Sequence, residues 1–318
     1  MLKTQSLWAV LLILIACIAG VGTTGCALRG LNGESATTTS PTDQSKWPQL
    51  PSPTRIEPGV LFYEVNLTRA GTPIRVWIYF PESHARAVPA VLIAPAGSPL
   101  VHGMALGPGD RPEHLPYVHA GFAVIAYEIE GAVTGRALNA IAKGAKKFEA
   151  AGYGVADARL ALDYALARVP EIDPEGVVAA GHSSAATLAL LVAASDPRIK
   201  GCIAYAPVCD VEGHLPETTF NTLSGVIPNF RSFLQNSSPV NHISELRCPV
   251  FLFHADDDSV VPENGVTDFA ERLKKSNPKV TFVRVSSGDH YDSMIGEGIP
   301  AGIRWVKSLT GFVAGPKR

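Results

Sequence analysis

The chain has 318 residues, 46% of them hydrophobic and 18% charged, with a formal net charge of −2. That length builds one large α/β domain or two small ones, with a substantial buried core. A balance of 27 basic against 29 acidic residues argues against a nucleic-acid-binding face, and 5 Cys are too few for a disulfide scaffold.

The first thirty residues stand apart from that domain. Leu7–Ala19 is an uncharged apolar run that follows Lys3 and precedes small, polar Gly20–Gly25. It is shorter than the roughly 20 residues of a membrane span and fits the apolar region of an export signal. Thr23-Thr24-Gly25-Cys26 resembles the lipobox at which bacterial lipoproteins are cleaved and lipidated, with Thr23 where Leu is usual. Leu14-Ile15-Ala16-Cys17 fits the same pattern but leaves only Leu7–Ile13 as its apolar region. Lipidation is expected on Cys26, with Cys17 and a plain secretory peptide as the alternatives. Ser35–Thr42 lacks any apolar period and reads as a tether. The organisation expected is an export signal over 1–25, a lipidated Cys and tether over 26–55, and a folded domain over 56–313. Either way the protein is expected to be exported, and on the favoured Cys26 reading it is held in the cell envelope by a lipid anchor, facing the periplasm or the exterior.

Within the domain, Val60–Thr68 and Ile74–Phe80 read as strands joined by a hairpin turn over Arg69–Pro73. Ala90–Ala94 and Phe122–Tyr127 are short apolar runs of the fully buried parallel kind. Ala137–Ala151 is an Ala/Lys-rich helical stretch, and Val155–Arg168 has helical apolar spacing. Val177–Ala180, Cys202–Ala206, Val250–Phe253 and Val280–Val285 are four further strands. Ala185–Ala194, Gly265–Lys275 and Pro300–Thr310 supply helices between and after them. This alternation predicts an α/β fold: a mostly parallel sheet covered on both faces, with an antiparallel hairpin at its start. Chemistry in such sheets gathers at the carboxyl ends of the strands.

Gly181-His182-Ser183-Ser184-Ala185 follows one strand and opens a helix. A strand–turn–helix with Ser at its apex needs small flanking residues and presents the hydroxyl above the sheet. The usual final Gly is replaced here by Ala185. A serine hydroxyl needs a base, and the base needs an orienting acid. Asp256-Asp257-Asp258 leaves the next-to-last strand, and His290 stands in the loop after the last one. The order Ser183, Asp258, His290 is that of an α/β-hydrolase triad, with Asp256, Asp257 and Asp210 as other candidate acids. The clustered Asp residues lack companion metal ligands, so no metal site and no cofactor are expected. His182 is expected to pack or hydrogen-bond near the turn, since adjacent residues point differently.

From about Ile56 to Phe312 the chain resembles the α/β-hydrolase superfamily, and within it the dienelactone-hydrolase-like and prolyl-oligopeptidase-like catalytic domains. His254-Ala255-Asp256-Asp257-Asp258-Ser259-Val260-Val261-Pro262 is similar to that group's His-Gly-x-x-Asp-x-x-Val-Pro signature, with Ala255 in place of Gly. On that register Asp258 is the triad acid. The resemblance implies an oxyanion hole built from the backbone N–H of Ser184 and one from Pro95-Ala96-Gly97-Ser98-Pro99. Gly97 is the expected second donor and Ser98 the alternative, because Pro99 has no N–H.

Met104, Leu106, Leu115 and Tyr117 are candidate pocket residues, and Asp210–Leu246 is either a lid or a packed surface excursion. Cys202 and Cys248 begin neighbouring strands, as buried thiols or as a disulfide. The expected function is cleavage of a small carboxylic ester through an acyl-enzyme. A prolyl-oligopeptidase-like peptidase or amidase acting on short peptides is the alternative enzyme reading. True prolyl oligopeptidases carry a propeller domain for which about 55 preceding residues leave no room. A non-catalytic envelope binding protein is the competing class, and loss of triad residues would mark it.

Overall fold

The computed structural model describes residues 47–84 and 87–309. The expected leader, Cys17, Cys26 and the Ser/Thr-rich stretch lie outside the described residues. Contacts divide the chain into residues 1–47, of which only Trp47 is described, and residues 48–318, which carry everything below.

Strand β1 (Thr54–Glu57) begins two residues before the expected domain boundary and pairs antiparallel with β2 (Val60–Arg69). It is short, polar and half exposed, which is why its composition resembles the tether. A two-residue turn at Ala70-Gly71, both at positive φ, returns β2 into β3 (Thr72–Pro81). This primed geometry matches the twist of paired strands.

Then the alternation begins: β4 (Val88–Ile93), α1 (Arg111–His119), β5 (Ala123–Tyr127), α2 (Leu138–Ala150) and α3 (Val155–Arg168). Next come β6 (Ile172–His182), α4 (Ser184–Ser195) and β7 (Gly201–Tyr205). Three short helices follow, α5 (Val211–His214), α6 (Glu217–Ser224) and α7 (Phe230–Asn236). The chain closes with β8 (Val250–Ala255), α8 (Glu263–Ser276), β9 (Val280–Val285) and α9 (Ile299–Leu309).

The strands form one nine-stranded sheet in the order β1-β2-β3-β5-β4-β6-β7-β8-β9. It is antiparallel through β1, β2, β3 and β5, then parallel from β5 to β9. The α/β-hydrolase fold expected from the sequence is present. Successive residues of a strand face opposite sides. Val91, Ile93, Val178, Ala180, Ile203, Tyr205, Phe251 and Phe253 accordingly fill one core with α1 and α9. The intervening Leu92, Ala179, Ala204 and Leu252 are equally buried. Burial on both faces explains why these strands read as unbroken apolar runs. Ser183, Asp258, His290 and Gly97 all lie just beyond the carboxyl ends of parallel strands.

Candidate active site

The Ser183 turn is built by backbone contact. A Cβ on Gly181 would stand 2.4 Å from the carbonyl carbon and oxygen of Ala185, so strand and helix meet too closely for any other residue. Ser183 itself is held at φ 55°, ψ −124°, a conformation that costs an L-residue of order 1–3 kcal/mol. The surroundings enforce it: Ser183 N–H donates to Tyr205 O at 2.8 Å, and Ala186 N–H donates to Ser183 O at 3.0 Å. Ala185 is 1% exposed, and its methyl group is accommodated where the usual motif has Gly.

His290 and Asp258 meet across the two loops that leave β9 and β8. His290 Nδ1 lies 2.8 Å from Asp258 Oδ2, and the Asp258 side chain is 1% exposed. The other oxygen, Oδ1, accepts the N–H groups of Val260 at 2.8 Å and Val261 at 2.9 Å. Burial raises the Asp258 pKa, but these hydrogen bonds and the one from His290 outweigh it and hold the carboxyl below its ordinary range. An ionised Asp258 makes His290 Nδ1 the donor, which leaves Nε2 with its lone pair.

The neighbouring aspartates do other work. Asp256 pairs with Arg284 Nη2 at 2.8 Å on the exposed face of β9. Asp257 accepts the N–H groups of Gly288 at 3.2 Å and Asp289 at 2.9 Å. Asp289 at φ 53° accepts Ser259 N–H at 2.8 Å. Asp210 caps α5 by accepting Gly213 N–H at 3.0 Å. Of the four candidate acids, Asp258 alone meets the imidazole of His290.

Gly97, at φ +89°, sits in the exposed loop after β4, with Met104 Cε 3.7 Å from where its Cβ would be. Ser98 N–H donates to Ser184 Oγ at 3.0 Å, and Ser98 Oγ donates to His102 O at 2.6 Å. The Ser184 hydroxyl, for which the sequence suggested no use, therefore ties this loop to the serine turn.

Two pocket candidates belong elsewhere. Leu106 and Tyr117 are core residues, and Tyr117 OH lies 2.6 Å from Tyr205 OH. The Asp210–Leu246 excursion folds as a packed unit: Phe233 meets Tyr153 edge to face, with ring centroids 5.1 Å apart, and Phe148 of α2 at a tilt, 6.2 Å away. It also delivers His214, which burial and then the nearby His290 hold below its ordinary pKa. Cys202, Cys209 and Cys248 are free thiols. A cavity of about 470 Å³ lies between the start of β3 and α2, and its walls include none of Ser183, Asp258 or His290.

The profile of the prolyl oligopeptidase family matches residues 111–315, a span that includes Ser183, Asp258 and His290. The chain belongs to the prolyl oligopeptidase family. Acetyl esterase Axe7A of Xylanibacter ruminicola is 30% identical to it over 109 residues, 32% of this chain and 25% of that protein. The chain thus spans about a quarter of the length of that curated relative.

Solved structures share the fold. A cold-adapted esterase from an Arctic intertidal metagenomic library superposes with a TM-score of 0.59 at 18% identity, covering 81% of this chain and 97% of that one. Acetyl xylan esterase from Paenibacillus sp. R4 gives 0.60 at 19% identity, covering 81% and 87%. A Mycobacterium tuberculosis puromycin-hydrolyzing peptidase gives 0.61 at 19% identity, covering 81% of this chain and 41% of that one.

Proposed function

We propose that the protein is a carboxylesterase that works through an acyl-enzyme on Ser183. The observation that carries this reading is the 2.8 Å contact between His290 Nδ1 and buried Asp258, beside a serine held at positive φ. Ser183 Oγ attacks the ester carbonyl while His290 Nε2 takes its proton. Asp258 fixes the tautomer and stabilises the imidazolium. The oxyanion is held by the N–H groups of Ser184 and Gly97, since Ser98 N–H is already engaged by Ser184 Oγ. His290 then returns its proton to the leaving alkoxide, and the alcohol departs. A water molecule repeats the attack under the same base, releases the acid and restores Ser183.

Ester rather than peptide substrates are favoured by how the relatives align. The two esterase structures align over 97% and 87% of their length, whereas the peptidase aligns over 41% of its own. The curated relative is an acetyl esterase. Short acyl groups are therefore the first substrates to try.

The test compares initial rates on short p-nitrophenyl esters with rates on aminoacyl-naphthylamides, each against Ser183→Ala. Ester turnover that vanishes in the variant supports the reading. Amide turnover of equal efficiency would replace it with the peptidase reading. If neither panel depends on Ser183, the esterase reading falls and the binding-protein reading takes its place.

Export and a lipid anchor on Cys26 complete the proposal, supported by the leader's apolar run and the lipobox-like Thr23–Cys26. Membrane fractionation of Cys26→Ala against Cys17→Ala tests it. Release by the first substitution alone is expected.

A further inference from the structure

His182 lies next to the serine, yet its ring turns away toward the base. Its Nε2 is 3.0 Å from the backbone oxygen of His290, and the two imidazole rings lie 4.5 Å apart at 42°. The outer edge of His182 meets Tyr291, with ring centroids 5.9 Å apart. A carbonyl oxygen can only accept, so Nε2 carries the hydrogen. That assignment matters because a neutral imidazole has one N–H.

The other nitrogen, Nδ1, faces the Glu113 carboxylate of α1, with Oε1 at 3.5 Å. Both groups are buried, at 4% and 9% side-chain exposure. Nδ1 makes no hydrogen bond among the described residues, although it is inaccessible to water. A buried nitrogen without a hydrogen bond is unfavourable, and the Glu113 carboxyl is the polar group that faces it. The Glu113 carboxyl borders Nδ1 at 3.5 Å, and the ring held in this orientation presents Nε2 as the donor to His290 O.

We propose that His182, oriented by Glu113, is a positioning residue that holds the catalytic loop in register with the serine turn. This rests on the reading of Ser183 and His290 as nucleophile and base. His182 is covalently adjacent to Ser183, so its bond to His290 O is a direct tie between the turn and the loop carrying the base. The loop has its own anchors to Asp257 and Asp258, but both of those come from the β8 side. His182 supplies the anchor from the β6 side. Its side chain is only 4% exposed, so its contribution belongs in kcat.

The experiment compares His182→Phe with His182→Gln, measured as kcat and KM on the best p-nitrophenyl ester. Phe keeps a flat ring against His290 and Tyr291 but cannot donate. Gln loses the ring contact but offers an N–H. Loss of the tie should lower kcat about 30- to 100-fold in His182→Phe, with KM changed less than about twofold. His182→Gln should recover at least half of that loss on a logarithmic scale.

Equal impairment of both variants would overturn the proposal, because ring packing would then be the cause. So would a rise in KM at unchanged kcat, or wild-type turnover in His182→Phe. Glu113→Gln against Glu113→Leu provides a second pair should His182→Phe fail to fold. The amide can still donate to Nδ1, so the Leu variant must lose more kcat than the Gln variant, and the reverse order overturns the assignment. Ser183→Ala runs beside every variant. Turnover that survives in that control overturns the triad itself, whereas a dead control beside an active His182→Phe overturns only the positioning role.

Discussion

The Asp257 carboxylate grips the backbone N–H of Asp289 at 2.9 Å, and the Asp289 carboxylate grips the N–H of Ser259 at 2.8 Å in return. Each loop thus supplies an acceptor to the other, on either side of the Asp258–His290 contact. Asp289 is held below its ordinary pKa, chiefly by the Ser259 N–H, so its acceptor remains charged through the neutral range. Asp257→Ala should loosen this clasp without touching the imidazole. The expected result is a fall in kcat of about tenfold at nearly constant KM, because misplacement of a catalytic group by a fraction of an ångström acts on the reacting geometry. Unchanged kcat would mean that Asp258 alone holds the two loops together.

Three consecutive aspartates with three different partners allow a sharp comparison. Asp258→Asn leaves a buried amide beside His290 and invites the wrong imidazole tautomer, so kcat should fall about 10³- to 10⁴-fold. Asp256→Asn only breaks a solvent-screened, exposed pair with Arg284, and activity should stay near wild type. Matched steady-state kinetics on the two variants decide the assignment. A large loss in Asp256→Asn would return the acid to doubt.

Much of this was legible in the chain, for a definite reason. Strands buried on both faces, such as β4, β7 and β8, write themselves as apolar runs, and helix Val155–Arg168 and strand Val280–Val285 form with the very limits their patterns predict. The polar strand Thr54–Glu57 left no such trace, because Ile56 is the one apolar residue among its four. Ser183, Asp258 and His290 stood out by order along the chain. Their supports did not: the tie from His182 to His290 O joins residues 108 apart through a backbone oxygen, which no side-chain pattern encodes. The same holds for Ser184 Oγ and Ser98 N–H, 86 residues apart. Pocket residues were misjudged where loop-like Gly and Pro surround core positions, as at Leu106 and Tyr117.

Two glycines should respond in opposite directions to alanine. Gly181→Ala forces a Cβ to within 2.4 Å of the Ala185 backbone, which cannot retreat without unseating Ser183. Overpacking of this kind costs about 1–3 kcal/mol or more and should abolish most turnover. Gly265 lies in α8 with nothing within 4 Å of the corresponding position. Alanine there should raise stability by about 0.5–1 kcal/mol through helix propensity and leave kinetics alone. Thermal melts with parallel assays check both signs.

A buried histidine outside the site should govern part of the acid sensitivity. His114 on α1 is fully enclosed against the Tyr79 ring, at 5.5 Å between centroids. Burial, with a smaller push from Arg111, holds its pKa down to about 3 from the ordinary 6.5. The unfolded chain therefore binds this proton below about pH 6.5 while the folded protein does not. The stability due to neutral His114 is complete above pH 6.5 and is lost as pH falls toward 3, at up to about 1.4 kcal/mol per unit. Asp110 and Asp157 act in the opposite sense, because burial pushes each up to about 6 and the folded state then holds the extra proton below that. Only a difference measurement separates these contributions. His114→Phe keeps a ring against Tyr79 and cannot take up a proton, so its melting temperature should fall less than that of the parent between pH 7 and pH 4.5. Parallel curves for the two proteins would show that His114 is not the group that titrates.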